Sequence, residues 1–248
     1  MPEQLKAFKA PPKKFQPKGM TILYEDHHII VIDKVSGLLT MGTDKDKVNT
    51  AYYLLTDYVR RGNPKAKNRI FIVHRLDKDT SGLLVFAKTE AAKRFLQSEL
   101  DNFNKRYFAV VHGFLEEKTG LIESYLAERK DGTFRMESVD DKRRGKLSKT
   151  QYRVMRESKK NSLVEVKLLT GRKNQIRVHF AEKGHPVLGD RLYGGLVKGK
   201  TKLSLHSAYM SIVHPVTKKK MTFDSKIPSY LMAPFLTPDE ISANKMKN

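Results

Sequence analysis

The chain has 248 residues, 39% of them hydrophobic, enough for a sizeable core and too many for a globally disordered polymer. It has no cysteine, which excludes disulfides and thiolate metal sites, and no segment approaches the roughly 20 apolar residues that a bilayer-spanning helix needs. The 48 Lys and Arg against 27 Asp and Glu leave a net charge of +21, a field that favours nucleic acid as partner over a membrane surface, since no basic amphipathic helix with a wide apolar face is found. Residues 1–19, rich in Lys and Pro and without periodicity, read as a flexible basic arm. The arm has no apolar core of the kind a secretory signal carries, so a cytoplasmic protein is expected. TILYEDHHIIVIDK is expected to form a hairpin about Asp26-His27-His28, and VSGLLTMGTD a loop. NTAYYLLTDYVRRG carries a helix start at Asn49 and a stop at Gly62. IFIVHRLD is expected to be a strand ending at Asp77, GLLVFAKT a second strand, EAAKRFLQSELDNF a helix capped by Thr89, and KRYFAVVHGFL a strand.

From Leu121 to Thr170 the pattern is strand and turn. Asp131-Gly132 turns LIESYLAERK into TFRMESV, and DDKRRGKLSK (140–149) reads as a charged loop. TQYRVMRE and SLVEVKLLT alternate with period two. NQIRVHFAEKG reads as a helix closed by Gly184, LSLHSAYMSIVHP and KKMTFDSK as the last strands, and PSYLMAPFL as a short helix. Without internal repeats or a regular βαβ alternation, the expected class is α+β, a mixed and mostly antiparallel central sheet flanked by helices and loops. One domain over 20–236 is expected between the arm and a polar tail, 237–248.

Three constellations carry candidate chemistry. Asp77 stands at a strand end in the turn Asp77-Lys78-Asp79-Thr80-Ser81-Gly82. A turn carboxylate bonded to its own backbone accounts for Asp79. Asp77 follows Leu76 and an apolar strand directly, and a carboxylate at the mouth of a core is also a candidate nucleophile or base, so both readings stand. In LLTGRKNQIRVHFAEKGHPVLGDRLYGG (168–195), Arg172 in a loop and Arg177 in the first helical turns form an anion site, or else Arg177 pairs with a surface acid. Arg177 lies close to the apolar stripe of Ile176 and Phe180, and a partly buried Arg needs a buried carboxylate partner. Asp77 is the expected one, kept ionised by the pairing. Tyr107, in KRYFAVVHG, is by default a core aromatic; beside Lys105 and Arg106 its ring can instead stack on a base. The eight histidines fit no metal pattern, and there is no GxxxxGK[ST] or GxGxxG loop, so neither metal nor cofactor is expected.

HRLDKDTSGLLVFAKT (74–89) closely resembles the active-site motif of the RluA family of pseudouridine synthases, HRLD-x-x-T-S-G-L-L-x-x-A. YEDHHIIVIDKVSGLLT resembles the family's N-terminal motif, with Lys34-Val35 where Lys-Pro is usual. LLTGRKNQIRVHFAEKGHPVLGDRLYGG resembles its TGR-x-HQIR-x-H…G-x-P-x-x-GD-x-x-Y block, with Asn174 for the usual His. LHSAYMSIVHPVTKKKMTF resembles the closing motif. The four stand in family order over roughly residues 20–225.

The resemblance implies the pseudouridine synthase catalytic fold and an isomerase that converts uridine to pseudouridine in structured RNA, ribosomal or transfer. It implies Asp77 as nucleophile, Arg177 as its salt-bridge partner, Tyr107 stacked on the target uracil, and Arg75 filling the gap left by a flipped-out nucleotide. His74, Arg172 and Lys34 lie in these motifs and Lys105 opens the Lys-x-Tyr pattern that, in the resemblance, carries Tyr107; all four are expected to face the RNA. Such chemistry needs a base drawn from its stack and a carboxylate, but no metal or cofactor. Many members of the wider family carry an N-terminal S4-type domain. With order expected from residue 20, none is expected here, and the catalytic domain, the arm and the Lys-rich segments 140–149 and 218–220 would grip the RNA, as a monomer. Two rival readings are a non-catalytic RNA-binding protein on the same scaffold and a nucleosidase. The nucleosidase needs a second carboxylate, for which only Asp190 offers itself; a structural turn accounts better for Asp190.

Overall fold

The computed structural model describes residues 8–42, 47–63, 65–133, 135–158, 160–194 and 201–236, so the polar tail and the first seven residues of the arm lie outside the described residues. The chain packs as two compact units, Met1–Phe103 with Tyr209–Ser225, and Asn104–Ala208 with Lys226–Asn248. The sequence suggested one domain because the crossings fall inside ordered structure, where no Pro- or Gly-rich linker marks them.

In the first unit, β1 (Met20–Glu25) and β2 (Ile29–Lys34) form the expected hairpin, paired from Met20↔Lys34 to Glu25↔Ile30 with a register shift between Ile22 and Tyr24. Asp26 closes its turn, Oδ1 accepting from the backbone N–H groups of His28 (2.7 Å) and Ile29 (2.8 Å). Helix α1 (Ala51–Arg60) starts one residue later than Asn49 suggested, because Thr50 is the cap and its hydroxyl accepts from the N–H of Tyr53 at 3.2 Å. It ends at Arg61 in the left-handed conformation (φ 52°). β2 pairs antiparallel with β4 (Ser81–Ala87), which also pairs with β3 (Phe71–Ile72). All seven β4 residues are buried, as the apolar run SGLLVFA requires of a central strand. Ile29, Val31, Leu83 and Val85 pack with Ala92 and Leu96 of α2 (Glu90–Ser98), whose i, i+4 spacing makes a buried stripe. Thr89 caps α2 as expected, and burying Leu96 stabilises the unit by about 2 kcal/mol. Strand β10 (Leu205–Val213) is divided between the units. Its residues from Tyr209 pair in the first with β11 (Lys220–Asp224) and bring Met210 and Ile212 into this core.

Two expectations for this unit are corrected. Residues 8–19 lie along β1: Phe8 meets Tyr24 with ring centroids 5.6 Å apart, and Gln16 Oε1 accepts from Ile22 N–H at 2.8 Å. The strand expected to reach Asp77 pairs only at Phe71 and Ile72. Beyond them side chains take over the ladder's work. Thr40 Oγ1 donates to Leu76 O (2.7 Å) and accepts from Leu76 N–H (3.2 Å), and His74 Nε2 accepts from Val85 N–H (3.4 Å).

The second unit orders its strands β5 (Asn104–His112), β9 (Asn161–Leu168), β8 (Lys146–Ser158), β6 (Thr119–Glu128) and β7 (Met136–Val139), each antiparallel to the next. The loop expected over 140–149 is shorter, because β8 opens at Lys146, opposite Leu126. Gly145 permits this: a Cβ there would stand 2.7 Å from side-chain atoms of Tyr125 and Val139. Helix α3 (Gln175–Glu182) buries six consecutive residues, Gln175 to Phe180. Leu231 of α4 (Ser229–Met232) and Phe235 of the 3-10 turn after it pack on Val110 and Leu163. The class is α+β with a mixed, mostly antiparallel pairing; Leu39 and Thr50 make a parallel bridge. No helix among the described residues is long and apolar enough to cross a membrane.

Candidate active site

Asp77 belongs to the first unit. The turn that carries it is anchored from behind: Asp77 O accepts from Thr80 N–H at 3.2 Å, and Lys78 O from Gly37 N–H at 2.9 Å. Lys34 completes the anchorage. Its side chain is fully buried and Nζ donates to the carbonyls of Leu38 (2.8 Å), Val35 (3.1 Å) and Lys78 (3.1 Å). Burial pushes the Lys34 ammonium down to about 8, against the carboxylates of Asp79, Asp77 and Asp33, which favour its charge. A buried cation thus stands behind the turn that carries the half-buried Asp77. This corrects the expectation that Lys34 faces RNA: all three ammonium protons have carbonyl partners and none of its surface is exposed. Arg75 is exposed, and His74 is half-buried, edge-on to Phe103 with ring centroids 6.1 Å apart.

Arg177, Arg172, Tyr107 and Lys105 belong to the second unit. Helix α3 is preceded by Asn174 in the left-handed conformation (φ 54°). Gln175 locks its start, Oε1 accepting from Arg172 N–H (3.0 Å) and Thr170 Oγ1 (2.8 Å) while Nε2 donates to Lys149 O (3.1 Å) and Thr150 Oγ1 (2.9 Å). Two residues on, Arg177 is buried, and its guanidinium makes a bidentate pair with Asp190, Nε to Oδ2 at 2.7 Å and Nη2 to Oδ1 at 2.8 Å. Nη1 donates to Asn174 Oδ1 at 3.1 Å, and the guanidinium lies over the Tyr193 ring, 5.3 Å from its centroid. Asp190 also accepts from the N–H groups of Leu192 and Tyr193, so its turn and the arginine share one carboxylate. Tyr193 Oη accepts from Asn174 Nδ2 (3.0 Å) and Met136 N–H (2.7 Å).

Asp190 was legible only as a turn residue, yet it supplies the buried carboxylate that Arg177 requires within this unit. Tyr193, three residues on, was not singled out at all, although GDRLY places both residues in one turn. Asn174, a departure from the family pattern, holds Arg177 and Tyr193 together. Tyr107 is buried in β5, opposite Val166; Lys105 is half-buried and Arg172 exposed. His179, one turn past Gln175, is buried between Thr150 Oγ1, 2.8 Å from Nδ1, and Ser124 Oγ, 3.1 Å from Nε2. Among the described residues no group of three or more His, Asp or Glu is placed to hold a metal.

The profile of the RNA pseudouridylate synthase family matches residues 28–182, a span that contains Asp77, Tyr107 and Arg177. The chain is 36% identical over 215 residues to YhcT of Bacillus subtilis, named as an uncharacterized RNA pseudouridine synthase, covering 85% of this chain and 69% of that protein. It is 35% identical over 224 residues to ribosomal large subunit pseudouridine synthase D of Zymomonas mobilis, covering 84% of this chain and 69% of that one. Among solved structures, human RNA pseudouridylate synthase domain containing 4 shares the fold, with a TM-score of 0.69 at 23% identity over 86% of this chain and 91% of that one. The four motifs and the matching profile thus agree, and the chain belongs to the RNA pseudouridine synthases of the RluA type, enzymes of the isomerase class.

Proposed function

We propose that this enzyme isomerises specific uridines of structured RNA, ribosomal or transfer, with Asp77 as nucleophile and the target base flipped out of its stack. The observation that carries the reading is the anchorage of the Asp77 turn. Three backbone carbonyls hold a buried ammonium behind a half-buried carboxylate, so the Asp77 turn is positioned against a fixed positive charge before substrate arrives. In the reaction the bond from ribose C1′ to uracil N1 breaks, the base turns, and a bond forms from C1′ to C5. The hydrogen on C5 leaves as a proton, and N1 gains one. The carboxylate stabilises or captures the separated fragments, and nothing is oxidised or reduced.

The roles of the remaining residues rest on the motifs. Arg177 serves the Asp77 carboxylate, Tyr107 stacks on the uracil, exposed Arg75 occupies the place of the flipped nucleotide, and His74, Lys105 and Arg172 contact the RNA around it. Drawing out the base costs a few kcal/mol, which those contacts offset.

The test is tritium release from transfer and ribosomal RNA labelled at uridine C5, assayed separately, with the wild type and Asp77→Asn. Release by the wild type on one RNA class, and background release by a variant with unchanged melting temperature, is the expected result. Equal release by both proteins removes Asp77 from the chemistry. Tight RNA binding by both with no release from either RNA points to a binding protein on the same scaffold.

A further inference from the structure

The longest stretch without an acidic residue near the Asp77 motif is YVRRGNPKAKNRIFIVHRL, residues 58–76, which carries six Lys and Arg. It runs from the end of α1 through β3, and of its six charges the four motifs account for Arg75 alone. Two adjoining clefts of about 500 and 410 Å³ open beside it on the first unit, sharing His27, Val59, Asn68 and Lys88 as walls. Arg61 lines one cleft, Lys67 and Arg69 the other.

The acids of these clefts are already engaged. Glu25 accepts from Lys88 Nζ (2.6 Å) and from the Tyr58 hydroxyl (2.9 Å). Asp26 is held by two backbone N–H groups, the Tyr24 hydroxyl (3.0 Å) and His214 Nε2 (2.7 Å). Glu90 faces Lys93 at 3.4 Å. The cations of the rim are not engaged in this way. Arg61, Lys67 and Arg69 are exposed and make no ion pair among the described residues. Arg69 lies over the Phe71 ring, 4.6 Å from its centroid, which fixes the guanidinium without neutralising it. Three cations without an acidic partner, on the walls of adjoining open clefts, suit a phosphodiester strand, which carries a negative charge on every nucleotide. Asp77 comes eight positions after Arg69, so the two lie within roughly 30 Å of each other along even a fully extended chain.

We propose that the rim formed by Arg61, Lys67 and Arg69 binds the phosphate backbone of the substrate RNA a few nucleotides from the target uridine. This rests on the reading of the enzyme as acting on RNA through Asp77. The contact sets affinity and register, not the chemical step.

The test uses the full chain and the RNA class that supports tritium release. The triple variant Arg61→Gln, Lys67→Gln, Arg69→Gln is compared with a control of equal charge loss, Arg156→Gln, Lys160→Gln, Lys167→Gln, whose side chains are exposed on the second unit. Binding measured from 50 to 200 mM salt should show the slope of log K against log salt falling by about 2 to 3 in the rim variant, and by much less in the control. KM should rise about tenfold or more with kcat within twofold. On the wild type, acetylation of Lys67 by an N-hydroxysuccinimide ester should be suppressed by saturating RNA, and that of Lys160 should not, a readout that needs no variant to fold. An unchanged slope and KM in the rim variant, equal losses in the two triples, or a Lys67 labelled alike with and without RNA would overturn the proposal while leaving the enzyme's activity intact. A wild type that neither binds RNA nor releases tritium would instead remove the functional reading beneath it.

Discussion

Lowering the pH should loosen the second unit through a single imidazole. His179 is buried between Thr150 and Ser124, with one hydroxyl at each ring nitrogen. Burial pushes the His179 pKa down from 6.5 to about 4. Below about pH 6.5 the unfolded chain binds a proton here that the folded chain refuses until about pH 4. Stability from this site is therefore fully present above about 6.5 and is lost as the pH falls toward 4. Two constants so separated cost about 2 kcal/mol at pH 5 and about 3 kcal/mol at pH 4. Urea unfolding of the wild type and of His179→Gln, followed by circular dichroism from pH 7.5 to 4.5, reads this directly. Glutamine keeps a hydrogen-bonding side chain but does not titrate, so its deficit against the wild type at pH 7.5 should shrink by about 2 kcal/mol at pH 5. Curves that stay parallel over the whole range would refute the assignment of the acid lability to His179.

Asp190→Ala strands a buried guanidinium without its bidentate partner and should cost about 3–5 kcal/mol in urea unfolding, with Asp190→Asn between it and the wild type. Gly189→Ala should cost more than about 2 kcal/mol, since its Cβ would stand 2.1 Å from Lys202 O at a φ of +79°, whereas Gly171→Ala, with no atom within 4 Å, should stay within about 0.5 kcal/mol.

The hairpin about Asp26, the buried strand Ser81–Ala87, the helix behind Thr89 and the helix ending before Gly184 were all legible, because each is fixed by local chemistry: an Asx turn, an apolar run, a cap, a glycine with positive φ. What escaped depends on partners distant in sequence. The apolar run IFIV reads as a strand through to Asp77, yet Thr40, more than thirty residues earlier, takes over the backbone groups of Leu76. Lys34 reads as a surface cation until three carbonyls from two loops are seen to converge on it. Asp190 reads as a turn residue, and its bidentate pair with Arg177, thirteen residues earlier, shows only within the folded second unit. The motifs name candidate residues, and the contacts that hold those residues appear only in the fold.

The path of the chain through the first unit has a consequence for its synthesis. Its core includes Met210 and Ile212, and β11 pairs with the same strand, but these residues follow Phe103 by about 100 residues and more. At roughly 5–20 residues per second the nascent unit waits about 5–25 s after Phe103 is made before Ser225 can complete it. During that interval Ile29, Val31, Leu83 and Val85 lack part of their cover. The wait exposes the nascent chain to aggregation, and a ribosome stalled anywhere in the second unit would leave the segment bearing Asp77 attached to an unfinished core.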